Sequence, residues 1–365
     1  MPYQGLDSYR HDERDKTGLL LVNLGTPDAP EPSALRRYLA EFLGDPRVVE
    51  VPRAVWLPIL YGVILPFRSR RSAHAYAQVW SERGSPLRWH SEDLASALQG
   101  RLQQLGEEVE VRLAMRYGRP SIRQVLDDWI RGGLRRLLVL PLYPQFSATT
   151  TATVFDEVGR CLADWRWPPE LRLINDYFAE PGWAAAIAAR IRAHWAEHGR
   201  GERLLMSFHG VPQRYLRAGD PYHCQCHASA RLIAAELGIE QSSWQISFQS
   251  RVGREPWLQP YTDHTVEQLA RDGVKSLDVV CPGFAVDCLE TLEEIAMQNA
   301  EAFRAAGGES LRYIPALNAQ ADHARVLGDL ALRHLQGWPG VAEGPPTSDP
   351  EARRRRFQAY QGPQK

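Results

Sequence analysis

Eight short strand-like segments, apolar or alternating apolar with polar residues, constrain this chain more than any other feature; each is closed by a turn and separated from the next by a longer, helix-patterned stretch. They are Gly18–Leu24, Val109–Met115, Leu134–Leu142, Leu171–Ile174, Leu204–Phe208, Trp244–Phe248, Leu277–Val280 and Leu311–Ile314. Runs of this kind are buried strands, and strands alternating with helices build parallel sheets. The pattern also repeats. Leu24-Gly25-Thr26-Pro27 closes the first strand as His209-Gly210-Val211-Pro212 closes the fifth, and Leu140-Pro141 matches Cys281-Pro282 after the third strand of each half. The expected fold class is therefore α/β: two similar doubly wound, Rossmann-like domains, each with a four-stranded parallel sheet, with a ligand cleft between their strand-end loops. Residues 17–165 are expected to form the first domain, completed by a C-terminal helix at 320–338, and 166–319 the second. Residues 1–16 and 341–365, the latter with Arg353 to Arg356 in a row, read as flexible termini. Helices are expected at Ser33–Phe42, capped by Ser33, and near 72–82, 91–105, 183–198, 222–237, 262–272, 287–306 and 320–336.

The first crossover, Leu24 to Val109, is far longer than its counterpart, His209 to Trp244. The excess is 51–67, apolar throughout, interrupted by Pro52, Pro58, Pro66 and Gly62 and followed by Arg68, Arg70 and Arg71. Three prolines argue against a continuous helix. An exposed apolar segment of that size marks a binding surface, so it is expected to rim the cleft and to lean weakly on a membrane. No apolar run reaches the ~18 residues of a spanning helix, and residues 1–16 lack the apolar core of a signal peptide. A formal net charge of -1 gives no reason to expect nucleic acid. Five unevenly spaced cysteines (Cys161, Cys224, Cys226, Cys281 and Cys288) form no disulfide framework and fit a reducing cytoplasm. No glycine-rich phosphate loop follows any strand, which leaves nucleotide binding with little support.

The chemistry gathers at two strand ends. After Leu277–Val280 comes Cys281-Pro282-Gly283, then an acidic pattern in which Asp287, Glu290, Glu294 and Gln298 share one helical face and Leu289, Leu292, Ile295 and Ala296 the other. The helix dipole accounts for acids in the first turn but not for a stripe reaching Glu294. His209 ends the first strand of the second half, next to that third strand in a doubly wound sheet, so His209 and Glu290 can converge. A neutral imidazole is a base or a metal ligand near pH 7, and a carboxylate beside it holds a proton or a hard cation. Tyr143-Pro144-Gln145-Phe146-Ser147-Ala148-Thr149 is expected to face the cleft, its hydroxyls either binding a ligand or capping a helix. Arg116, at another strand end, either meets an acidic ligand or forms an interdomain salt bridge. His223-Cys224-Gln225-Cys226-His227 is too tightly spaced to surround one tetrahedral ion and reads better as a helix start.

Five segments in order along the chain carry a resemblance to the ferrochelatases of bacterial type: Leu21-Val-Asn-Leu-Gly-Thr-Pro27; Arg116-Tyr117-Gly118; Tyr143-Pro-Gln-Phe-Ser147; Ser207-Phe-His-Gly-Val-Pro212 with Gly219-Asp-Pro-Tyr222; and Gly283-Phe284 through Asp287-Cys-Leu-Glu-Thr-Leu-Glu-Glu294. The resemblance implies a chelatase-type fold and insertion of Fe2+ into protoporphyrin IX with release of two protons to form protohaem, the last step of haem b synthesis. Coproporphyrin III as substrate, a cobalt chelatase of the same fold, and a non-enzymatic two-lobed solute-binding protein are the alternatives. By position, His209 and Glu290 correspond to the catalytic pair, with Asp287 and Glu294 behind them as metal-handling acids. Leu24, Arg71, Ser85, Arg116, Tyr143, Ser147 and Thr149 correspond to substrate-side positions. Cys288 stands where some relatives have histidine. Ala148 replaces one cysteine of the iron–sulfur cluster that some relatives carry, and no cysteine follows Leu311, so no cluster and no resident cofactor is expected; Fe2+ is a substrate. The resemblance leaves monomer and homodimer both open.

Overall fold

The computed structural model describes residues 3–6, 15–253, 255–338 and 355. The first half runs β1 (Lys16–Thr26), α1 (Pro32–Gly44), α2 (Arg53–Ile59), a π-helical turn (Leu60–Ile64), α3 (Leu65–Val79), α4 (Pro86–Gln104), β2 (Val109–Gly118), α5 (Ile122–Arg131), β3 (Leu134–Pro141), a second π turn (Ala148–Ala152), α6 (Thr153–Ala163) and β4 (Glu170–Leu173). The second runs α7 (Pro181–His198), β5 (Arg203–His209), α8 (Gln213–Arg217), α9 (Tyr222–Leu237), β6 (Trp244–Gln249), α10 (Thr262–Arg271), β7 (Ser276–Val280), a π-helix (Glu290–Asn299), α11 (Ala300–Ala305), β8 (Ser310–Ile314) and α12 (Ala321–Leu335). The sheets have the same order, β2-β1-β3-β4 and β6-β5-β7-β8, and every pairing is parallel. All eight expected strands form.

The strand sequences explain the layering. Side chains alternate between faces, so Leu19 and Leu21 enter one apolar cluster while Leu20 and Val22 enter another. Both faces of each sheet are covered by helices, which is why central strands such as β1 carry continuous apolar stretches while the edge strands β2 and β4 keep charged residues. The larger cluster passes through both halves, joining Leu138 and Leu140 to Met206, Phe208 and Ile314, and includes Leu327, Leu330 and Leu335 of α12. Gly25 has a φ of 109°, and a Cβ there would sit 1.7 Å from the Tyr117 carbonyl oxygen, so only glycine permits β1 to end against β2.

Several expectations are corrected. Ser33 is not the cap of α1; Glu31 occupies that position and Pro32, whose fixed φ suits a first turn, follows it. Residues 53–79 form one continuous helical run despite their prolines. Pro52 is the cap; Pro58 and Pro66 both lie inside the run, on either side of the π turn, where the ladder widens and Leu65 N–H reaches the Leu60 carbonyl. Helices α5 and α8 were not anticipated. In the N-terminal arm, Gln4 N–H donates to the Asp164 carbonyl and Arg166 N–H to the Gln4 carbonyl, so those residues are tied to the first half. The tail expected at 341–365 lies outside the described residues apart from Arg355. Register also moves one equivalence. Pro141 pairs with Val22 and Val280 with Met206, which makes Pro141 the counterpart of Cys281, not of Pro282.

Candidate active site

His209 is the last residue of β5, where the strand leaves its sheet. Its Nδ1 lies 2.6 Å from the Gly210 carbonyl oxygen. A carbonyl only accepts, so Nδ1 carries a proton, and of the two neutral tautomers this bond selects the one with its lone pair on Nε2. Trp257 and Phe284 flank the imidazole, each with its ring centre 6.5 Å away.

Glu294 projects from the π-helix toward the same strand ends. Its Oε1 accepts from Ser250 N–H at 2.8 Å, and its Oε2 accepts from the Ser250 hydroxyl and, at 3.3 Å, from Gln249 Nε2. Ser250 has a φ of 65°, a left-handed conformation uncommon for a non-glycine residue, and it turns both donors onto this carboxyl group. Burial pushes the Glu294 carboxyl above the usual range and Glu290 adds to the rise, while Ser250 and His209 pull it down. Gln249 Nε2 also donates to the Glu290 carbonyl at 2.9 Å, binding the start of the π-helix to β6. The Cys288 thiol lies beside the Glu290 carboxyl, and Tyr38, Tyr76 and Arg68 of the first half stand within its electrostatic reach across the cleft.

The expected acidic row is corrected at Asp287. Helical structure begins only after it, and its carboxylate is consumed by four donors: Tyr313 hydroxyl at 2.5 Å, Asn318 Nδ2 at 2.7 Å, Thr291 hydroxyl at 3.1 Å and Ala316 N–H at 3.2 Å. Asp287 pins the loop after β7 to the loop after β8 and does not join Glu290 and Glu294 as a third open acid. Among the described residues no group of three or more His, Cys, Asp or Glu side chains is assembled as a metal site, so the set His209, Glu290, Asp287 and Glu294 is not a preformed one. His223 and His227 lie one turn apart on α9, their ring centres 4.5 Å apart and tilted by 53°; α9 starts at Tyr222 as the helix-start reading required.

The substrate-side residues divide. Arg71 is exposed on α3 and Leu24 is half-buried against the α1–α3 cluster. Ser85 is buried and receives the Thr26 hydroxyl at 2.7 Å. Arg116 neither meets the cleft freely nor crosses between halves: it pairs with Asp45 at 2.5 Å and donates to the Thr153 carbonyl at 2.9 Å, all within the first half. The Tyr143 hydroxyl is buried without a hydrogen-bond partner among the described residues. Ser147 and Thr149 are part of a latch. Ser147 caps the second π turn, and its hydroxyl and Ala148 N–H reach Asp220 at 3.0 and 2.8 Å. Gln145 bonds Ser229, Phe146 N–H bonds Gln225, and Thr149 lies against the Ser147 hydroxyl. Sequence reasoning missed Gln249, Ser250 and Trp257, which no local pattern marks.

An imidazole, a buried carboxyl raised above its usual range and a second carboxyl thus meet at the ends of β5, β6 and β7, opposite an apolar, tyrosine-lined wall. The family model described as Ferrochelatase matches residues 16–335, which includes every residue of this cluster. Curated ferrochelatases from Thioalkalivibrio sulfidiphilus and Nitrosococcus oceani are 55% and 54% identical, over 94% and 93% of this chain and 94% and 92% of theirs. At 10% identity, the cobalt complex of a sirohydrochlorin chelatase from Bacillus subtilis subspecies spizizenii superposes with a TM-score of 0.50, over 89% of this chain and 98% of that one, and shares the fold. The chain belongs to the ferrochelatase family and is a metal-chelatase enzyme.

Proposed function

We propose that the chain inserts Fe2+ into protoporphyrin IX, releasing two protons and forming protohaem in the last step of haem b synthesis. The observation that supports this most is the pairing of His209, its Nδ1 held by the Gly210 carbonyl oxygen, with the raised carboxyl of Glu294 on the adjoining π-helix. The macrocycle lies flat between the halves. His209 Nε2 accepts one pyrrole proton. Glu290 provides an oxygen for the incoming ion or for the second proton; carboxylate oxygens bind Fe2+ weakly enough to release it to four pyrrole nitrogens. Glu294, held by Ser250 and Gln249, stores a proton and passes it outward. No resident cofactor enters this reading.

The helical lip over residues 53–67 is proposed as the porphyrin entrance and as a weak contact with a membrane surface. Val55, Tyr61, Val63 and Phe67 are each more than half exposed there, and Arg70 and Arg71 follow on exposed positions. Each such arginine contributes about 1 kcal/mol at an anionic surface. No helix among the described residues is long and apolar enough to cross a membrane. The reaction is tested by mixing the protein anaerobically with Fe2+ or Zn2+ and protoporphyrin IX, with coproporphyrin III in a parallel arm. Loss of protoporphyrin fluorescence at the faster rate is expected. Preference for coproporphyrin III would reassign the substrate, and no metallation of either would remove the assignment. Flotation with anionic liposomes tests the lip: a Val55→Ser, Tyr61→Ser, Phe67→Ser variant should float less and show a higher porphyrin KM.

A further inference from the structure

A cavity of about 970 Å³ lies away from His209, along the outer edge of β6 between α9 and α10. The mechanism above does not use it. Phe248 N–H points out of the sheet, since it donates to the Pro260 carbonyl at 2.8 Å. Backbone groups in a strand alternate, so the N–H and C=O groups of Ile246 and Trp244 point outward as well. Both residues line the cavity, and no hydrogen bond from another segment reaches their outward groups among the described residues. The first half treats its matching edge differently. Met115 N–H donates to the Pro120 carbonyl as Phe248 does to Pro260, which makes Leu113 and Val111 the counterparts of Ile246 and Trp244. There the side chain of Gln99 closes the edge, its Oε1 accepting from Val111 N–H at 2.7 Å and its Nε2 donating to the Val109 carbonyl at 3.1 Å.

The open edge is also electropositive. Arg203 and Arg231 line the groove, and neither has an ion pair or hydrogen bond among the described residues; Arg203 Nε is buried and unpartnered. His227 and His264 add two imidazoles. The acid facing them is Asp272, which already accepts from Gln268 Nε2 at 2.8 Å. An unpaired strand edge offers main-chain affinity to an extended chain, and unpaired arginines select its charge.

We propose that the β6 edge is a docking site for an extended acidic segment of a partner polypeptide, which adds to the second sheet as a further strand. The groove supplies what Gln99 supplies internally in the first half, but to a visitor. The test uses the full-length protein and fluorescence anisotropy of a labelled octapeptide of alternating glutamate and valine. Three controls are run: lysine in place of glutamate, proline in place of valine, and free inorganic phosphate as competitor. The glutamate–valine peptide should bind, with both altered peptides at least about tenfold weaker, since one loses the charge and the other the strand hydrogen bonds. Arg231→Glu, on an exposed position, and Arg203→Gln should each weaken binding by about tenfold while porphyrin metallation is unchanged. No binding at millimolar peptide, equal binding of the proline peptide, or full displacement by millimolar phosphate would overturn the proposal. So would a wild-type dimer that Arg231→Glu converts to monomer by sedimentation, which would assign the groove to a second copy of the chain.

Discussion

The two halves are built on one frame and spend the same positions differently. With Met115 equivalent to Phe248, register makes Leu24 the counterpart of His209 and Arg116 the counterpart of Gln249. In the first half, Leu24 joins an apolar cluster and Arg116 is neutralised by Asp45. In the second, His209 presents a lone pair, and Gln249, an uncharged amide, fastens the π-helix by the Glu290 carbonyl and touches Glu294. An arginine at Gln249's place would stabilise an ionised Glu294 and pull its carboxyl down. The amide supports the acid without adding a charge that favours its ionised form. After the third strand, the first half makes a five-residue π turn that latches onto Asp220, and the second makes a ten-residue π-helix carrying both acids. In the proposed reading, one half supplies wall and latch and the other the proton chemistry.

The largest test of that division exchanges the paired positions. His209→Ala should lower kcat for metallation by ~10²–10⁴-fold, the usual contribution of a positioned general base, whereas Leu24→Ala should act mainly on porphyrin KM. Equal losses of kcat would break the contrast. Next is the Arg116–Asp45 pair, whose partners are nearly buried. Asp45→Asn leaves an uncompensated charge and should cost about 3 kcal/mol of stability in denaturant melts, with turnover per folded molecule nearly kept. Gln249→Ala should do the reverse. If Asp45→Asn abolishes turnover in fully folded protein, the first half takes part in the chemistry.

Glu294→Gln gives a smaller, pH-dependent effect. The folded-state carboxyl is raised above its unfolded value, so wild type holds an advantage at low pH that is lost as pH rises through the folded value. The stability difference should be flat below about pH 4 and then move in favour of the variant as pH increases. Movement in the opposite direction would mean that the Ser250 bonds outweigh burial and the acid is held ionised. The smallest effect is expected at α9. Cys224→Ser with Cys226→Ser should change activity per folded molecule by less than about twofold, and loss of a visible iron–sulfur absorbance in that variant would contradict the cofactor-free reading.

The sequence by itself determined the sheets, because a strand buried on both faces must be apolar at every position; Leu19 to Val22 and Leu137 to Leu140 admit no other reading. It determined the strand-end location of His209, because that follows from neighbours in the chain, whereas the approach of Gly25 to Tyr117 of β2 is a tertiary contact. Tertiary structure alone decided which nearby acids act together. Asp287 fits the helical stripe in sequence but is taken by Tyr313 and Asn318, some thirty positions later. The hydroxyl-rich segment after Tyr143 became a latch because Asp220, Gln225 and Ser229 come to meet it from the other half. The lip stayed helical through Pro58 because the ladder widened behind it. Ser250 turned its donors onto Glu294 through a backbone conformation that no side-chain pattern announces. Periodicity records which face of a segment is buried; which polar groups find partners depends on distant segments that only the folded chain brings within hydrogen-bond reach.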